Sequence, residues 1–288
     1  MVPENVRFAG AEGVELRGDC RGSGARGTVL LAHGAGQTRH AWAGAAMRLA
    51  GQDWRVVSLD LRGHGESGWS ASGNYRLGAF ANDLATVGKA LTANTRRPHL
   101  VGASLGGLAG LMVETHVAPG VFASLTLVDI VPQMDASGVE RIMSFMTEHA
   151  DDGFSSVEQA SALISAYLPH RPKPRDLSGL SKNLRLDADG RYRWHWDPRF
   201  VASVRETRQQ HNLAEFEQRL TGLTLPLHLV RGRMSELVPE HAVRSFLAAA
   251  PSAHFSDIAD AGHMVAGDRN DAFCEAVADF LSRLDDEH

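Results

Sequence analysis

The stretch that most constrains this chain is Pro98-His99-Leu100-Val101-Gly102-Ala103-Ser104-Leu105-Gly106-Gly107. An apolar, strand-like run stops at a serine with a glycine two positions to either side, and a helical pattern starts at once. A strand-to-helix turn that tight holds its central residue in strained backbone angles. Bulky side chains on either side would collide across the bend, so glycine is favoured there. Gly102-Ala103-Ser104-Leu105-Gly106 meets both demands as a G-x-S-x-G pattern. The turn lifts Ser104 Oγ above the sheet, and the helix behind it aims its first amides at the place where negative charge would develop. G-x-S-x-G alone is a common accident. Bracketed by a strand and a helix, it becomes a constraint on the whole fold.

The remaining pattern fits around this turn. Residues 28–32, 55–60, 124–130 and 225–232 are short, apolar runs that read as strands buried on both faces. Residues 14–20 alternate like a half-exposed strand, 6–8 form a possible earlier one, and 253–258 a last one. Between the strands, Leu77, Phe80, Leu84, Val87 and Leu91 recur at helical steps, as do Phe273, Val277, Phe280, Leu281 and Leu284. A further helix is expected at 42–50, and Leu105, Leu108, Leu111 and Met112 are expected to face the core from the helix after Ser104. Strands alternating with helices call for a mostly parallel sheet covered on both sides. From 133 to 221 the regularity lapses. Helical segments are expected there at 139–150, 156–168 and 202–220, around a proline-broken basic loop at 169–175.

Composition narrows the partners. The chain has 288 residues, enough for a large core, with a formal net charge of −5. That charge argues against a nucleic-acid partner and gives no membrane attraction. The two cysteines, Cys20 and Cys274, have no metal-ligand spacing and read as separate thiols. No basic, apolar leader opens the chain and no run approaches the ~18 apolar residues of a membrane span, so a cytoplasmic location is expected.

These features together resemble the α/β-hydrolase superfamily, from about Val14 to about Leu284. The resemblance implies an eight-stranded, mostly parallel sheet flanked by helices, with a helical cap inserted after the sixth strand. The core would be residues 1–132 and 222–288, and the cap 133–221. By position in that family, Ser104 is the nucleophile, and His263 in Asp260-Ala261-Gly262-His263-Met264 is the base. The favoured acid is Glu236, in the loop Arg233-Met234-Ser235-Glu236-Leu237-Val238-Pro239, with Asp129 at the end of the preceding strand as the alternative. The order serine, acid, histidine is the one this fold prescribes. The glycine turn His33-Gly34-Ala35-Gly36-Gln37 would supply half of an oxyanion hole through the Ala35 amide, paired with the Leu105 amide. Asp60-Leu61-Arg62-Gly63-His64-Gly65-Glu66-Ser67 matches another signature of the family, D-x-R-G-x-G-x-S, and its expected role is structural.

The pocket is expected to take His33 and Gly34 from the glycine turn, and Leu237 and Met264 from the loops carrying the acid and the base. The cap would add Met143, Phe145, Met146, Tyr167, Trp194 and Trp196. Aromatic and methionine side chains commonly line apolar pockets, and a small helical cap needs them equally for its own core. Serine at the turn, where epoxide hydrolases and haloalkane dehalogenases of this superfamily carry aspartate, points to acyl chemistry. The expected activity is hydrolysis of a small or medium, fairly apolar carboxylic ester or lactone through an acyl-serine intermediate, with no metal or organic cofactor. Other cofactor-free triad reactions of the fold are the alternatives (C–C bond hydrolysis, hydroxynitrile lysis, perhydrolysis), as is a non-catalytic receptor for a small ligand.

Overall fold

The computed structural model describes residues 2–92, 96–148, 150, 152–168, 176–208 and 213–286. Its sheet has eight strands: β1 (Glu4–Ala9), β2 (Glu15–Arg21), β3 (Gly27–Ala32), β4 (Trp54–Leu59), β5 (His99–Ala103), β6 (Ser124–Val128), β9 (Leu227–Gly232) and β10 (His254–Ile258). Their spatial order is β1-β2-β4-β3-β5-β6-β9-β10. Pairs from β4 through to β10 are parallel, whereas β2 runs antiparallel to both β1 and β4. Every strand expected from the sequence is present, because each is either a short apolar run or an alternating edge segment.

The side-chain period of two splits the central strands between two apolar layers. Val29, Leu31, Val56, Val101 and Val230 pack with α1 (Ala43–Ala50) and α11 (Asn270–Asp286) on one face. Leu30, Val57, Leu100, Leu125 and Leu229 pack with α2 (Leu77–Thr92) and α3 (Leu105–Met112) on the other, where α9 (Glu240–Ala249) also contributes Val243 and Phe246. The expected stripe on α2 is buried throughout.

On α3 the expected stripe packs against the core, with Leu111 fully buried, and the side nearest the sheet is glycine. Gly106, Gly107 and Gly110 are buried, whereas Leu105, Leu108 and Met112 are only partly covered. A Cβ at Gly107 would come within 2.6 Å of Ile130 and 2.7 Å of the Gly102 carbonyl, and one at Gly106 would collide with the Ala32 carbonyl. Helix α3 lies so close to the sheet that only glycine fits beneath it at Gly106 and Gly107.

Between β6 and β9 the chain builds α4 (Ala136–Thr147), α5 (Val157–Tyr167), α6 (Ser178–Ser181), a hairpin of β7 (Leu184–Leu186) and β8 (Tyr192–Trp194), α7 (Pro198–Arg208) and α8 (Leu213–Leu220). The hairpin was not expected from the sequence. Its signal was present, since Leu184 and Leu186 face Trp194 and Tyr192 across a turn closed at Gly190, whose φ is 77°. The strands are too short to read as buried runs. The basic loop 169–175 lies outside the described residues. α10 (Val265–Asp268) bridges the His263 loop to α11.

Candidate active site

Ser104 sits where β5 meets α3, with φ 46° and ψ −112°, the strained geometry that the flanking glycines allow. A Cβ at Gly102 would approach the Gly106 and Gly107 backbone to 2.6 Å, so the bend closes only with glycine. The Ser104 amide donates to the Val128 carbonyl at 3.2 Å, which ties the turn to the end of β6.

The residue after Val128 carries the carboxylate that meets the histidine. Asp129 is fully buried, at φ 50°, and its Oδ2 lies 2.8 Å from His263 Nδ1. Two more donors hold that carboxylate: the Gly232 amide on Oδ1 at 2.9 Å and Ser235 Oγ on Oδ2 at 2.5 Å. Buried and holding three partners, Asp129 orients the imidazole with its Nδ1–H turned toward the carboxylate.

Glu236, the favoured acid from the sequence, is elsewhere. Its Oε2 pairs with Arg141 Nη1 of α4 at 2.6 Å, at the cavity mouth and about one-third exposed. The correction has a simple physical origin. The loop after β9 supplies donors to the carboxylate at His263, because pairing of β6 with β9 brings Gly232 and Ser235 beside Asp129. Among these residues Ser235 was missed by the sequence reading, as was Arg141. The Asp129 carboxylate, in an otherwise apolar run between Val128 and Ile130, is the alternative acid expected from the sequence.

The glycine turn lies against the serine: a Cβ at Gly34 would sit 3.3 Å from Ser104 Cβ. Its conformation is held by bonds at the Gly34 and Gly36 amides and carbonyls and at the Gln37 amide. His33 Nδ1 lies 2.8 Å from the Gly34 carbonyl, and Gln37 Oε1 accepts the Gly34 amide at 3.0 Å. A trans peptide points its C=O and N–H in opposite directions, so holding Gly34 O sets the direction of the Ala35 N–H. Leu105, as the first residue of α3, has an amide with no intrahelical partner. Both amides expected for an oxyanion hole thus belong to segments pinned beside Ser104.

Three of the expected pocket residues are supports, not lining. His33 is fully buried, with its Nε2 accepting the Leu61 amide at 3.0 Å, and burial lowers its pKa. Met143 and Leu237 are likewise packed in the core behind the cavity. Gly34, Ala35, Phe145, Met146, Tyr167, Trp194, Trp196 and Met264 do line it, together with Ser104 and His263. The cavity encloses about 630 Å³. Trp194 stacks on Trp196 at 5.0 Å and Phe145 on Tyr167 at 4.3 Å, so aromatic faces form much of the wall. Burial, then the Glu236 charge, pushes the Tyr167 hydroxyl up to about 12. It stays protonated at neutral pH.

The D-x-R-G-x-G-x-S segment is scaffold. Asp60 accepts the Arg39 and Glu66 amides at 2.6 and 3.0 Å and pairs with the Arg39 guanidinium. Arg62 forks onto Asp83 at 2.6 and 2.8 Å. His64 is fully buried, with both ring nitrogens on backbone groups, Arg62 O and Gly36 N.

The sequence profile of the alpha/beta hydrolase family matches residues 29–276, which spans the elbow, the acid and the histidine loop. The chain belongs to the alpha/beta hydrolase family. Its relatives include an esterase from Mycobacterium tuberculosis, 28% identical over 91% of this chain and 85% of that protein. A crystal structure of the esterase superposes with a TM-score of 0.75, at 27% identity, over 98% of this hydrolase and 93% of that chain. A 3-hydroxybutyrate-oligomer hydrolase from Cupriavidus necator is 26% identical over 82% of each protein. The fold is also that of E-2-(acetamidomethylene)succinate hydrolase, with a TM-score of 0.84 at 20% identity, over 97% of this chain and 99% of the other.

Proposed function

We propose that this hydrolase cleaves carboxylic esters by acyl transfer through Ser104, with His263 as general base and acid and Asp129 as the orienting carboxylate. The observation that carries the reading is the pair of buried Asp129 with His263, the latter opening onto the same apolar cavity as a serine held at positive φ. The named activities of its relatives, an esterase and an oligomer hydrolase, support the same class of reaction.

His263 takes the proton from Ser104 Oγ as that oxygen attacks the ester carbonyl, and Asp129 stabilises the imidazolium. The tetrahedral oxyanion is received by the Ala35 and Leu105 amides, each worth ~3 kcal/mol to the transition state. His263 returns the proton to the departing alcohol, and water then cleaves the acyl-Ser104 ester by the same route in reverse. Residues 133–221 act as a cap whose aromatic wall takes up the apolar part of the substrate.

The test combines a fluorophosphonate with a chain-length series of p-nitrophenyl esters, on wild type and on Ser104→Ala. A single adduct, lost with ester turnover in Ser104→Ala, is the expected result. Undiminished turnover in Ser104→Ala, or a folded wild type that forms no adduct and cleaves no ester, would sink the proposal.

A further inference from the structure

His195 follows the hairpin of the insertion, yet its ring is buried among loops of the sheet. It is 6% exposed, its Nε2 faces the Gly36 carbonyl at 3.2 Å, and its Nδ1 accepts the Gly65 amide at 2.8 Å. A ring that accepts at Nδ1 carries its proton on Nε2, so the contact to Gly36 O is a donated hydrogen bond. The backbone around it is anchored too. The His195 amide donates to the Asn183 carbonyl at 3.1 Å and the Asp197 amide to the Gly63 carbonyl at 2.9 Å. Tyr75 Oη donates to Asp197 at 2.6 Å.

The contact to Gly36 completes a series. The peptide unit joining Gly34 to Ala35 is held at its carbonyl by His33, and the next, at the Gly36 amide, by His64. The third, joining Gly36 to Gln37, is held at its carbonyl by His195. That third unit is tied directly to the first, because the Gln37 amide donates to the Gly34 carbonyl at 3.1 Å. If it rotates, Gly34 O keeps only His33 of its two partners, and the Ala35 N–H on the opposite side of the first plane is held less firmly. Gly36 has φ 71°, and a Cβ there would lie 3.2 Å from both Met146 and Trp196, so insertion side chains also cover this point.

We propose that His195 is a positioning residue for the Ala35 amide: through Gly36 and Gln37, the insertion holds the oxyanion-accepting turn in its working geometry. This rests on the acyl-transfer reading above. The role belongs to one nitrogen, and that makes it testable. Glutamine places an N–H donor where Nε2 stands, whereas asparagine places an acceptor where Nδ1 stands and cannot reach Gly36 O.

The experiment measures kcat and KM on one p-nitrophenyl ester for wild type, His195→Gln, His195→Asn and His195→Ala, per folded protein determined by circular dichroism. His195→Gln should stay within about threefold of wild type. His195→Asn should fall about tenfold to 100-fold in kcat, less than the full loss of an oxyanion donor, with KM within about threefold. If His195→Ala does not fold, the Gln and Asn pair still decides the matter. Wild-type kcat in His195→Asn, or a fall in Gln as deep as in Asn, overturns the inference while leaving the serine mechanism standing. A wild type with neither adduct nor ester turnover fails the acyl-transfer reading itself, and this inference with it.

Discussion

At the scale of single residues, the decisive comparison is between two carboxylates. Asp129 is buried and bonded to His263, whereas Glu236 shares a half-exposed pair with Arg141. Asp129→Asn keeps the shape but turns a donor toward His263 Nδ1 or forces the wrong tautomer, so kcat should fall on the order of 10⁴-fold. Glu236→Gln removes an ion pair of the kind worth about 0–1 kcal/mol and should leave kcat within about threefold and stability little changed. Steady-state kinetics on the two variants check both statements at once. Equal losses in the two would remove Asp129 from its assigned role.

At the scale of elements, the approach of α3 to β3 depends on Gly106. Alanine there gains up to ~1 kcal/mol of helix propensity, but its methyl collides with the Ala32 carbonyl, which is backbone and cannot swing aside. Overpacking of this kind costs about 1–3 kcal/mol, so Gly106→Ala should be net destabilising. A lower urea midpoint at unchanged slope, with reduced ester turnover as the Leu105 amide shifts, is the expected outcome. The loop elements around His33, His64 and His195 give a second prediction. Burial lowers all three pKa values, His195 to about 4, with His33 adding to the fall and Asp60 opposing it. The unfolded chain protonates His195 near 6.5 and the folded chain only near 4, so stability is lost as pH falls through that window. His195 alone accounts for on the order of 3 kcal/mol of this. Thermal melts from pH 7.5 to 4.5 should show the decline, and it should be shallower in His195→Gln.

At the scale of the whole molecule, the cavity exists only where the sheet's loops and the insertion meet. Gly34, Ala35, Ser104 and His263 come from one, and Ile142, Phe145, Trp194 and Trp196 from the other. Changing the insertion wall should therefore alter substrate size without touching the chemistry. Ile142→Trp should raise KM about tenfold or more for long p-nitrophenyl esters, a loss in the range of 1–3 kcal/mol per misfit methylene, with acetate turnover unchanged. A uniform loss across the series would mean that Ile142 does not bound the acyl site. Among the described residues no helix is long and apolar enough to cross a membrane.

The linear chain carried what local physics dictates. Short apolar runs and one alternating segment set the strands, period-3.6 stripes set α2 and α11, and the glycines around Ser104 set the elbow, because each depends on residues a few positions apart. Ser104 and His263 were legible for the same reason: each lies directly beyond a readable strand. Tertiary structure decided everything that depends on which distant segments touch. The carboxylate at His263 is Asp129 because β6 lies beside β9, a pairing of segments about a hundred positions apart. His195, 159 positions from Gly36, reached the glycine turn only when the insertion folded over it. The sheet-facing side of α3 proved to be glycine, because the closeness of two packed elements is no property of either sequence alone.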